Sequence, residues 1–201
     1  MPHLSSAELQ QAFQRFIDEN PDERLTDFEE LDPTDTLRLI PTETEGPYAG
    51  QADTFEAIGM VNSASLLAFW QEPGLSSAAE RPIVYIDSEG SPTTVFADSF
   101  ADFLTLLPYG TEFLYKIINQ MERARANPHL LGVRFQPITP ADAQAALAAN
   151  RQEYSLHAQY VEWLRTVAGL AVAPDPVGLI EQAFQRHTNL ETWLDWENYG
   201  H

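Results

Sequence analysis

The stretch that most constrains the fold is RPIVYIDSEGSPTTVFADSFADFLTLL, residues 81–107. Its apolar run from Ile83 to Ile86 favours a strand that is covered on both faces. The SEGSP segment that follows has turn chemistry, because Gly90 can adopt a positive φ. Residues 93–97 then form a second short apolar run, which is predicted to return beside the first as its antiparallel partner. A chain with this unit at its centre is expected to contain a meander of paired strands.

Earlier apolar segments extend the predicted meander. Residues 55–61 and 65–70 flank Asn62 and Ser63, which suit a tight hairpin turn. A further edge strand is predicted at residues 132–138. Together these segments predict an α+β fold, in which helices surround a mainly antiparallel sheet of about four to six strands.

Helices are predicted both before and after the strands in the sequence. Ser5 and Glu8 have the spacing of a capping box at the start of a helix over residues 5–19. Asp98 directly follows a strand, as catalytic carboxylates often do. The helix that begins immediately after it nevertheless favours Asp98 or Ser99 as an N-cap.

The last third of the chain is predicted to be helical. A helix is expected from Thr111 to Asn127, and the longest one begins at Thr139-Pro140, where proline occupies the first helical position. Two adjacent apolar stripes along this longest helix imply a broad buried face; they contain Leu147, Tyr154, Leu156, Tyr160, Val161, Trp163, Leu164, Val167 and Ala168. Another helix is predicted to open at Asp175-Pro176.

The length of 201 residues suits one large domain, or one medium domain with an extension. The composition changes near residues 128–138. We therefore predict an α+β domain over residues 1–128 and a helical extension over residues 129–201 that packs on the same domain.

The charge is the strongest compositional feature, since 30 acidic residues face 11 basic ones and give a formal net charge of −19. A field of this sign repels nucleic acid and anionic lipid surfaces, and it attracts a basic partner. An acidic surface can also serve solubility alone, and both interpretations stay open. We predict a protein partner and no nucleic-acid or membrane partner; the sequence does not indicate an oligomeric state.

Residues 21–54 are acidic and punctuated by prolines, and they are predicted to be mostly loop. Carboxylate pairs in this segment could be recruited as a general acid and base, but such pairs arise by chance among thirty acidic residues. A binding surface is the favoured interpretation. The predicted partner-binding residues are Asp27, Glu29, Glu30, Asp32, Asp35, Glu43 and Glu45.

No catalytic, cofactor or metal site is predicted. The sequence has no cysteine, which removes disulfides, thiolate zinc sites and cysteine nucleophiles. It also lacks a nucleophile elbow, a phosphate-binding glycine loop and the HExxH spacing. Glu153 and His157, one helical turn apart, are the nearest candidate for a base or a metal ligand, but such pairs are common on helix surfaces. The four tryptophans (Trp70, Trp163, Trp193 and Trp196) lie on apolar stripes and are predicted to be core residues.

Residues 1–25 alternate polar and apolar positions with helical spacing, so they do not resemble a signal peptide. No uninterrupted apolar stretch is long enough to cross a membrane. A cytoplasmic location is therefore expected.

The element A-D-S-F-A-D-F-L at residues 97–104, placed after a strand pair, resembles the SUKH superfamily, the Smi/Knr-type group. Residues 58–70 (IGMVNSASLLAFW) are similar to the strand pair of that family. The resemblance implies an α+β fold without a motif-borne active site. It also implies the function of most bacterial members, which are thought to be immunity proteins that bind and neutralise a secreted toxin, often a nuclease.

The leading hypothesis is therefore a non-enzymatic protein-binding module of the immunity type, whose partner is a basic toxin domain. One alternative is a stand-alone regulatory or scaffold protein of the same fold, with the helical segment 139–197 as its contact surface. The other alternative is a hydrolase that uses Glu153 and His157 or an acidic pair.

Overall fold

The structure is a computed structural model that describes residues 4–21, 23–26, 29–30, 55–61, 65–72, 81–87, 93–127, 136–187 and 190. Its strands are β1 (Glu29–Glu30), β2 (Phe55–Val61), β3 (Ser65–Trp70), β4 (Ile83–Ile86) and β5 (Thr93–Ala97). Its α-helices are α1 (Ser6–Asp18), α2 (Phe100–Leu106), α3 (Thr111–Ala126), α4 (Pro140–Glu153), α5 (His157–Trp163) and α6 (Pro176–Arg186). The predicted α+β fold is confirmed.

The strands form one antiparallel sheet in the order β1-β2-β3-β4-β5, which is the simple meander that the short spacing of apolar segments predicts. All four residues of β4 are buried, and β4 pairs with β3 on one side and with β5 on the other. The predicted hairpin strands β2 and β3 pair from Phe55 opposite Trp70 to Val61 opposite Ser65. Their predicted turn at residues 62–63 lies outside the described residues.

Side chains of the central strands alternate between two hydrophobic cores, one on each face of the sheet. Leu67 and Phe69 of β3 belong to the larger core, together with residues from α1 to α5. Trp70 belongs to the smaller core on the opposite face. Helix α6 packs on β5 and contributes Ile180 to the larger core and Ala183 to the smaller one. The helix therefore covers the β5 edge of the sheet.

The N-caps of α1 and α2 agree with the sequence predictions, except that one of the two candidates for α2 is excluded. The predicted capping box of α1 is present, because the Ser5 hydroxyl accepts a hydrogen bond from the Glu8 amide while the Glu8 carboxylate accepts from the Ser5 amide. The N-cap of α2 is Ser99, whose hydroxyl accepts from the Asp102 amide at 3.1 Å. Asp98 is therefore not the cap, and its carboxylate makes other contacts described below.

The longest predicted helix is interrupted. Tyr154 has extended backbone angles (φ −109°, ψ 121°) and ends α4, and α5 begins only at His157. The break allows the Leu156 amide to donate to the Arg24 carbonyl at 3.4 Å and turns His157 into the interior. This tertiary contact overrides the helical periodicity.

Val167 was predicted to lie on a buried stripe, but 51% of its surface is exposed. Residues 164–168 form a π-helical turn, which inserts an extra residue into the helix and rotates the following positions. The predicted edge strand at 132–138 is not seen in its described part, since residues 136–138 are in neither a helix nor a strand. Residues 132–135 lie outside the described part of the chain.

The carbonyl end of α2 receives hydrogen bonds from the last third of the chain. The Tyr160 hydroxyl donates to the Leu104 carbonyl at 2.8 Å, and the Ala173 amide donates to the Thr105 carbonyl at 3.1 Å. These carbonyls lie near the end of a helix, where intrahelical donors run out. The helices after residue 136 therefore complete the hydrogen bonding of the domain that precedes them.

Aromatic packing joins the first and last thirds of the chain. The rings of Tyr160 and Trp163 stack with centroids 5.5 Å apart. Phe13 of α1 contacts Tyr160 edge-on at 6.1 Å and Phe100 of α2 edge-on at 6.0 Å. Trp70 and Trp163 are buried as predicted, whereas Trp193 and Trp196 lie outside the described residues.

None of the described helices is long and apolar enough to cross a membrane.

We expect Gly110→Ala to destabilise the fold more than Gly169→Ala. Gly169 is in the left-handed helical region (φ 69°) with nothing within 4 Å of an added Cβ, so alanine there should cost about 1–2 kcal/mol. Gly110 (φ 79°, ψ 150°) is in a region that is essentially restricted to glycine, and a Cβ would lie 2.1 Å from Asn150 Nδ2.

Urea unfolding of both variants measures the difference. We expect Gly110→Ala to lose at least about 1 kcal/mol more than Gly169→Ala, because Asn150 must also move away from the carbonyl to which it donates. Equal losses in the two variants would contradict this placement of Asn150.

Candidate functional site

The predicted partner-binding residues fall at one edge of the sheet where they are described. Glu29 and Glu30 form β1, opposite Met60 and Gly59 of β2. No described strand pairs with the other side of β1, so among the described residues it is an open edge. Within the segment that was predicted to be mostly loop, these two residues therefore form a short strand. Asp27, Asp32, Asp35, Glu43 and Glu45 lie outside the described residues.

Exposed carboxylates precede this edge strand in the sequence. Asp18 and Glu19, at the end of α1, and Glu23 are all exposed to solvent. We call residues 18–30 the acidic edge segment. Two residues of this segment are joined to the helices: the Arg24 carbonyl accepts from the Leu156 amide, and the Thr26 hydroxyl accepts from the Thr111 amide at 3.4 Å. Residues 24–26 are therefore fixed to the core.

The structure does not bring Glu153 and His157 together in a site. Glu153 is exposed at the end of α4 and lines the groove between α3 and α4, of which His157 is not a lining residue. His157 is buried, and its Nε2 donates to the Pro108 carbonyl at 2.9 Å. Its Nδ1 is buried and has no hydrogen-bond partner among the residues that the structure describes, which fits a neutral imidazole, and burial lowers the pKa of this imidazole.

Asp98 takes part in a cluster of charged groups at the end of α6. Its carboxylate is paired with Arg186, and its Oδ1 lies 3.2 Å from Nε2 of His187. On the other side of the ring, Nδ1 of His187 lies 2.6 Å from Oε2 of Glu72. We call these four residues the His187 cluster. They come from the ends of β3, β5 and α6, so the cluster joins three elements that are distant in sequence.

The geometry of the His187 cluster is that of a tether between α6 and the sheet, because the ring lies between a carboxylate at the end of β3 and one at the end of β5. Only about a tenth of the His187 and Glu72 side chains is exposed. The rings of Trp70 and His187 meet in a T-shaped arrangement, with centroids 6.4 Å apart. The positive charge of Arg186 in the last turn of α6 complements the helix dipole.

A cavity of about 160 Å³ lies beside the cluster, between β5, α3 and α6. His187 forms part of its wall. The other polar residues in the lining are Thr93, Thr94, Glu122 and Arg125, and the apolar ones are Val95, Phe184 and Leu190. The lining therefore combines groups that can form hydrogen bonds with apolar side chains.

Glu122 is the unusual residue of this cavity. Its Oε1 atom is buried and accepts no hydrogen bond from any described residue. Burial raises the pKa of the Glu122 carboxyl, and the positive charge of Arg125 and a hydrogen bond from Thr94 oppose part of that rise. The Arg125 guanidinium itself lies over the Phe184 ring, 5.6 Å from its centroid. Glu122 thus has a buried acceptor atom that lacks a donor among the described residues.

The groove between α3 and α4 is larger, at about 1100 Å³. Lys116 on α3 and Ala145 and Ala149 on α4 are among its lining residues. Among the described residues, no group of three or more histidine, cysteine, aspartate or glutamate side chains is arranged to hold a metal ion.

No protein-family model, no curated protein and no solved structure matches the chain. The resemblance to the SUKH superfamily therefore stays a prediction that rests on the A-D-S-F-A-D-F-L element and on residues 58–70.

Each residue type in the A-D-S-F-A-D-F-L element has a folding role in this structure. Asp98 pairs with Arg186, and Ser99 caps α2. The Ser99 hydroxyl also lies 2.8 Å from the Asp102 carboxylate. Of the apolar members, Ala97, Phe100, Phe103 and Leu104 are buried, and Ala101 is partly buried against the larger core. Folding alone is thus sufficient to account for the motif.

Sequence reasoning missed the His187 cluster and Glu122 for different reasons. Glu72 and Asp98 are 115 and 89 positions before His187, so no local spacing links them. Glu122 did carry a signal, because it continues the row Leu114, Ile118 at intervals of four on the buried face of α3. A carboxylate in such a row is an anomaly that a search for buried ionisable groups would find.

We expect the stability contributed by His157 to depend on pH. Since burial lowers the pKa of the folded-state imidazole below its ordinary 6.5, this contribution is complete above pH 6.5 and is lost as the pH falls below it. His157→Gln should therefore cost about 1–3 kcal/mol at pH 8, and the gap to the natural chain should narrow at pH 5. Unfolding in urea at the two pH values measures the gap; a gap that stays constant would show that His157 is not buried neutral.

We expect Glu122→Gln to raise the melting temperature at pH 7. The raised pKa means that the folded state prefers the protonated carboxyl, so the ionised form disfavours folding near neutrality and this penalty disappears toward acidic pH. The gain should therefore shrink when melting is followed at pH 4. Glu112→Gln, at an exposed position on the same helix, is the matched control and should change little at either pH.

Proposed function

We propose that this chain is a non-enzymatic protein-binding module of the immunity type, which neutralises a toxin by covering a basic surface of it. The observation that carries the proposal is the acidic edge segment, which ends in β1, a strand of two glutamates whose outer side pairs with no other described strand. We place its action in the bacterial cytoplasm, where proteins of the superfamily that it resembles are thought to act.

The asymmetry of the sheet supports binding at β1. The β5 edge is covered by α6, whereas the β1 edge is unpaired among the described residues. An exposed strand edge presents backbone donors and acceptors that an extended segment of a partner can satisfy. Glutamates at that edge favour lysine and arginine on the incoming segment and disfavour acidic sequences.

The net charge of −19 supports a basic partner. Complementary charge accelerates encounter and selects among partners more than it raises affinity in itself. Toxin domains that act on nucleic acid need a positively charged cleft to hold phosphates, and an acidic protein can occupy that cleft. Such binding weakens as salt screens the charges.

The interior ionisable groups support a role without catalysis. His157 donates a hydrogen bond to the Pro108 carbonyl, and Tyr160 donates one to the Leu104 carbonyl. His187 lies between the carboxylates of Glu72 and Asp98. These groups stabilise contacts between helices and the sheet, and they do not converge on one pocket. The hydrolase hypothesis loses its principal pair, because Glu153 and His157 do not share a pocket.

The scaffold hypothesis used residues 139–197 as a separable contact surface. In the described part of that segment, Ala143, Leu156, Tyr160 and Ile180 are buried in the larger core. Removal of the segment would therefore expose the core, which makes it a poor candidate for an independent binding module.

The experiment compares two triple variants of equal charge change. Asp18→Asn, Glu19→Gln and Glu23→Gln neutralise the acidic edge segment, whereas Glu112→Gln, Glu153→Gln and Glu181→Gln neutralise exposed carboxylates elsewhere. The partner is the toxin encoded next to the gene for this chain. We expect the edge variant to bind the toxin about tenfold more weakly in calorimetry, a loss of about 1.4 kcal/mol, while the control variant keeps its affinity.

Survival of cells that express the toxin gives the functional readout. The natural chain and the control variant should protect such cells, and the edge variant should protect them less. Failure of the natural chain to bind or neutralise the neighbouring gene product would overturn the immunity function. If both triple variants bound the toxin equally weakly, binding would still depend on charge, but it would not be located at the acidic edge segment and β1.

A further inference from the structure

The groove between α3 and α4 suits a segment of another protein better than a small molecule. Its volume of about 1100 Å³ lies above the range of roughly 300–1000 Å³ that is usual for small-molecule pockets. Its lining comes from residues 109–123, 136–138 and 142–154. A groove of this kind, between two helices, is a common place for an amphipathic helix of a partner to dock.

The two helices that form the walls run antiparallel. A Cβ added to Gly110, just before α3, would lie 2.1 Å from Nδ2 of Asn150, near the end of α4. At the other end of α3, the Gln120 side chain donates to the Gln136 carbonyl, shortly before α4 begins, at 2.7 Å. The beginning of α3 therefore lies beside the end of α4, and the groove has two different ends.

Exposed charges of opposite sign mark these two ends. Arg123, in the last turn of α3, lies at one end. Glu112, in the first turn of α3, and Glu153, the last residue of α4, lie at the other. None of these three side chains forms an ion pair with another described residue. The helix dipole disfavours a negative charge at the end of α4, so a basic group from outside would stabilise Glu153.

The middle of the groove carries little net charge. Hydrogen bonds from Thr139, and to a smaller extent the charge of Lys116, lower the pKa of the Asp142 carboxyl. Lys116 and Asp142 both line the groove, so their charges largely cancel there. Ala145 and Ala149 present only methyl groups from α4, which allows a third helix to pack at the usual separation of about 8–10 Å.

The separation of the charges defines the occupant. Glu112 and Arg123 are 11 positions apart, which is about 16 Å along the helix axis. A matching helix has an acidic and a basic side chain about three turns apart, with apolar side chains between them on the same face. An acidic group near its beginning and a basic group near its end also agree with its own dipole. A second copy of this chain is disfavoured, because each copy has a net charge of −19.

We propose that the groove between α3 and α4 is a docking site for an amphipathic helix of a partner protein. The helix lies antiparallel to α3, with a carboxylate facing Arg123 and a basic side chain facing Glu112 and Glu153. The site lies on α3 and α4 and not at β1, so the inference does not depend on the immunity function.

A selection experiment determines the required side chains directly. A phage-displayed library of helices of about 15 residues is randomised at positions i, i+4, i+7 and i+11, which share one face, and is selected against the full natural chain. We expect the enriched helices to carry Asp or Glu at the first position, apolar residues at the two middle positions, and Lys or Arg at the last. No enrichment, or enrichment without this order of charges, would overturn the proposal.

Two variants of α4 test the location. Ala145→Arg places a long side chain in the groove, and Ala148→Arg makes the same change at an exposed position of α4 that does not line it. In calorimetry, a synthetic copy of an enriched helix should bind Ala145→Arg at least about tenfold more weakly than the natural chain, because the groove is filled. Its affinity for Ala148→Arg should be unchanged. Equal affinity for the natural chain and for Ala145→Arg would reject the groove.

A charge exchange tests the orientation. Arg123→Glu should weaken binding about tenfold, because it repels the acidic end of the helix, whereas Arg151→Glu, at an exposed position outside the groove, should not. A helix whose acidic residue is replaced by Lys should recover affinity for Arg123→Glu, and this recovery also shows that the variant is folded. Absence of the recovery would contradict the assigned orientation.

Sedimentation of the chain alone tests the other occupant. We expect the natural chain and Ala145→Arg to sediment alike over a series of concentrations. An oligomer of the natural chain that Ala145→Arg dissociates would show that a second copy fills the groove, and it would overturn docking of a partner helix.

Discussion

The carbonyl groups at the end of α2 are the constraint on which the rest of the structure depends. A helix that ends inside a core leaves carbonyls without amide donors, and each must find another partner or cost free energy. Here the donors come from the last third of the chain. The Tyr160 hydroxyl donates to the Leu104 carbonyl, and the Ala173 amide donates to the Thr105 carbonyl. Asn150 and His157 both donate to the carbonyl of Pro108, just after α2. Since these donors lie 42 to 68 residues away in sequence, the domain cannot complete its hydrogen bonding before its C-terminal helices dock.

This constraint explains several local departures from regular helix. The interruption at Tyr154 lets the chain place His157 and Tyr160 against the α2 terminus, which an uninterrupted helix would align differently. The glycine-only conformation of Gly110 brings the start of α3 close to Asn150. His157 and Asp98, which resemble catalytic residues in the sequence, therefore make structural contacts in the fold. Unpartnered groups are also found elsewhere in the described part of the chain, at the outer side of β1 and at Glu122 Oε1.

The sequence predicted the elements whose signals are local. The meander, the capping box of α1 and the start of α6 at Asp175-Pro176 all depend on spacings of a few residues, and the structure has them. The sequence failed where a distant contact decided the outcome: the Arg24 carbonyl that breaks the long helix, and the partners of Asp98, which proved to be Arg186 and His187 and not the amides of α2. The candidate cavity was invisible for the same reason, because its lining comes from β5, α3 and α6.

The composition of β1 also affects how copies of this chain meet one another. An open strand edge is the usual starting point for edge-to-edge association, in which two identical strands pair and extend the sheet. Glutamates at both positions of β1 would bring like charges together in such a pairing, with little strand length to compensate for the repulsion. The two residues that would favour a basic segment under the proposed function would therefore also discourage self-assembly through this edge.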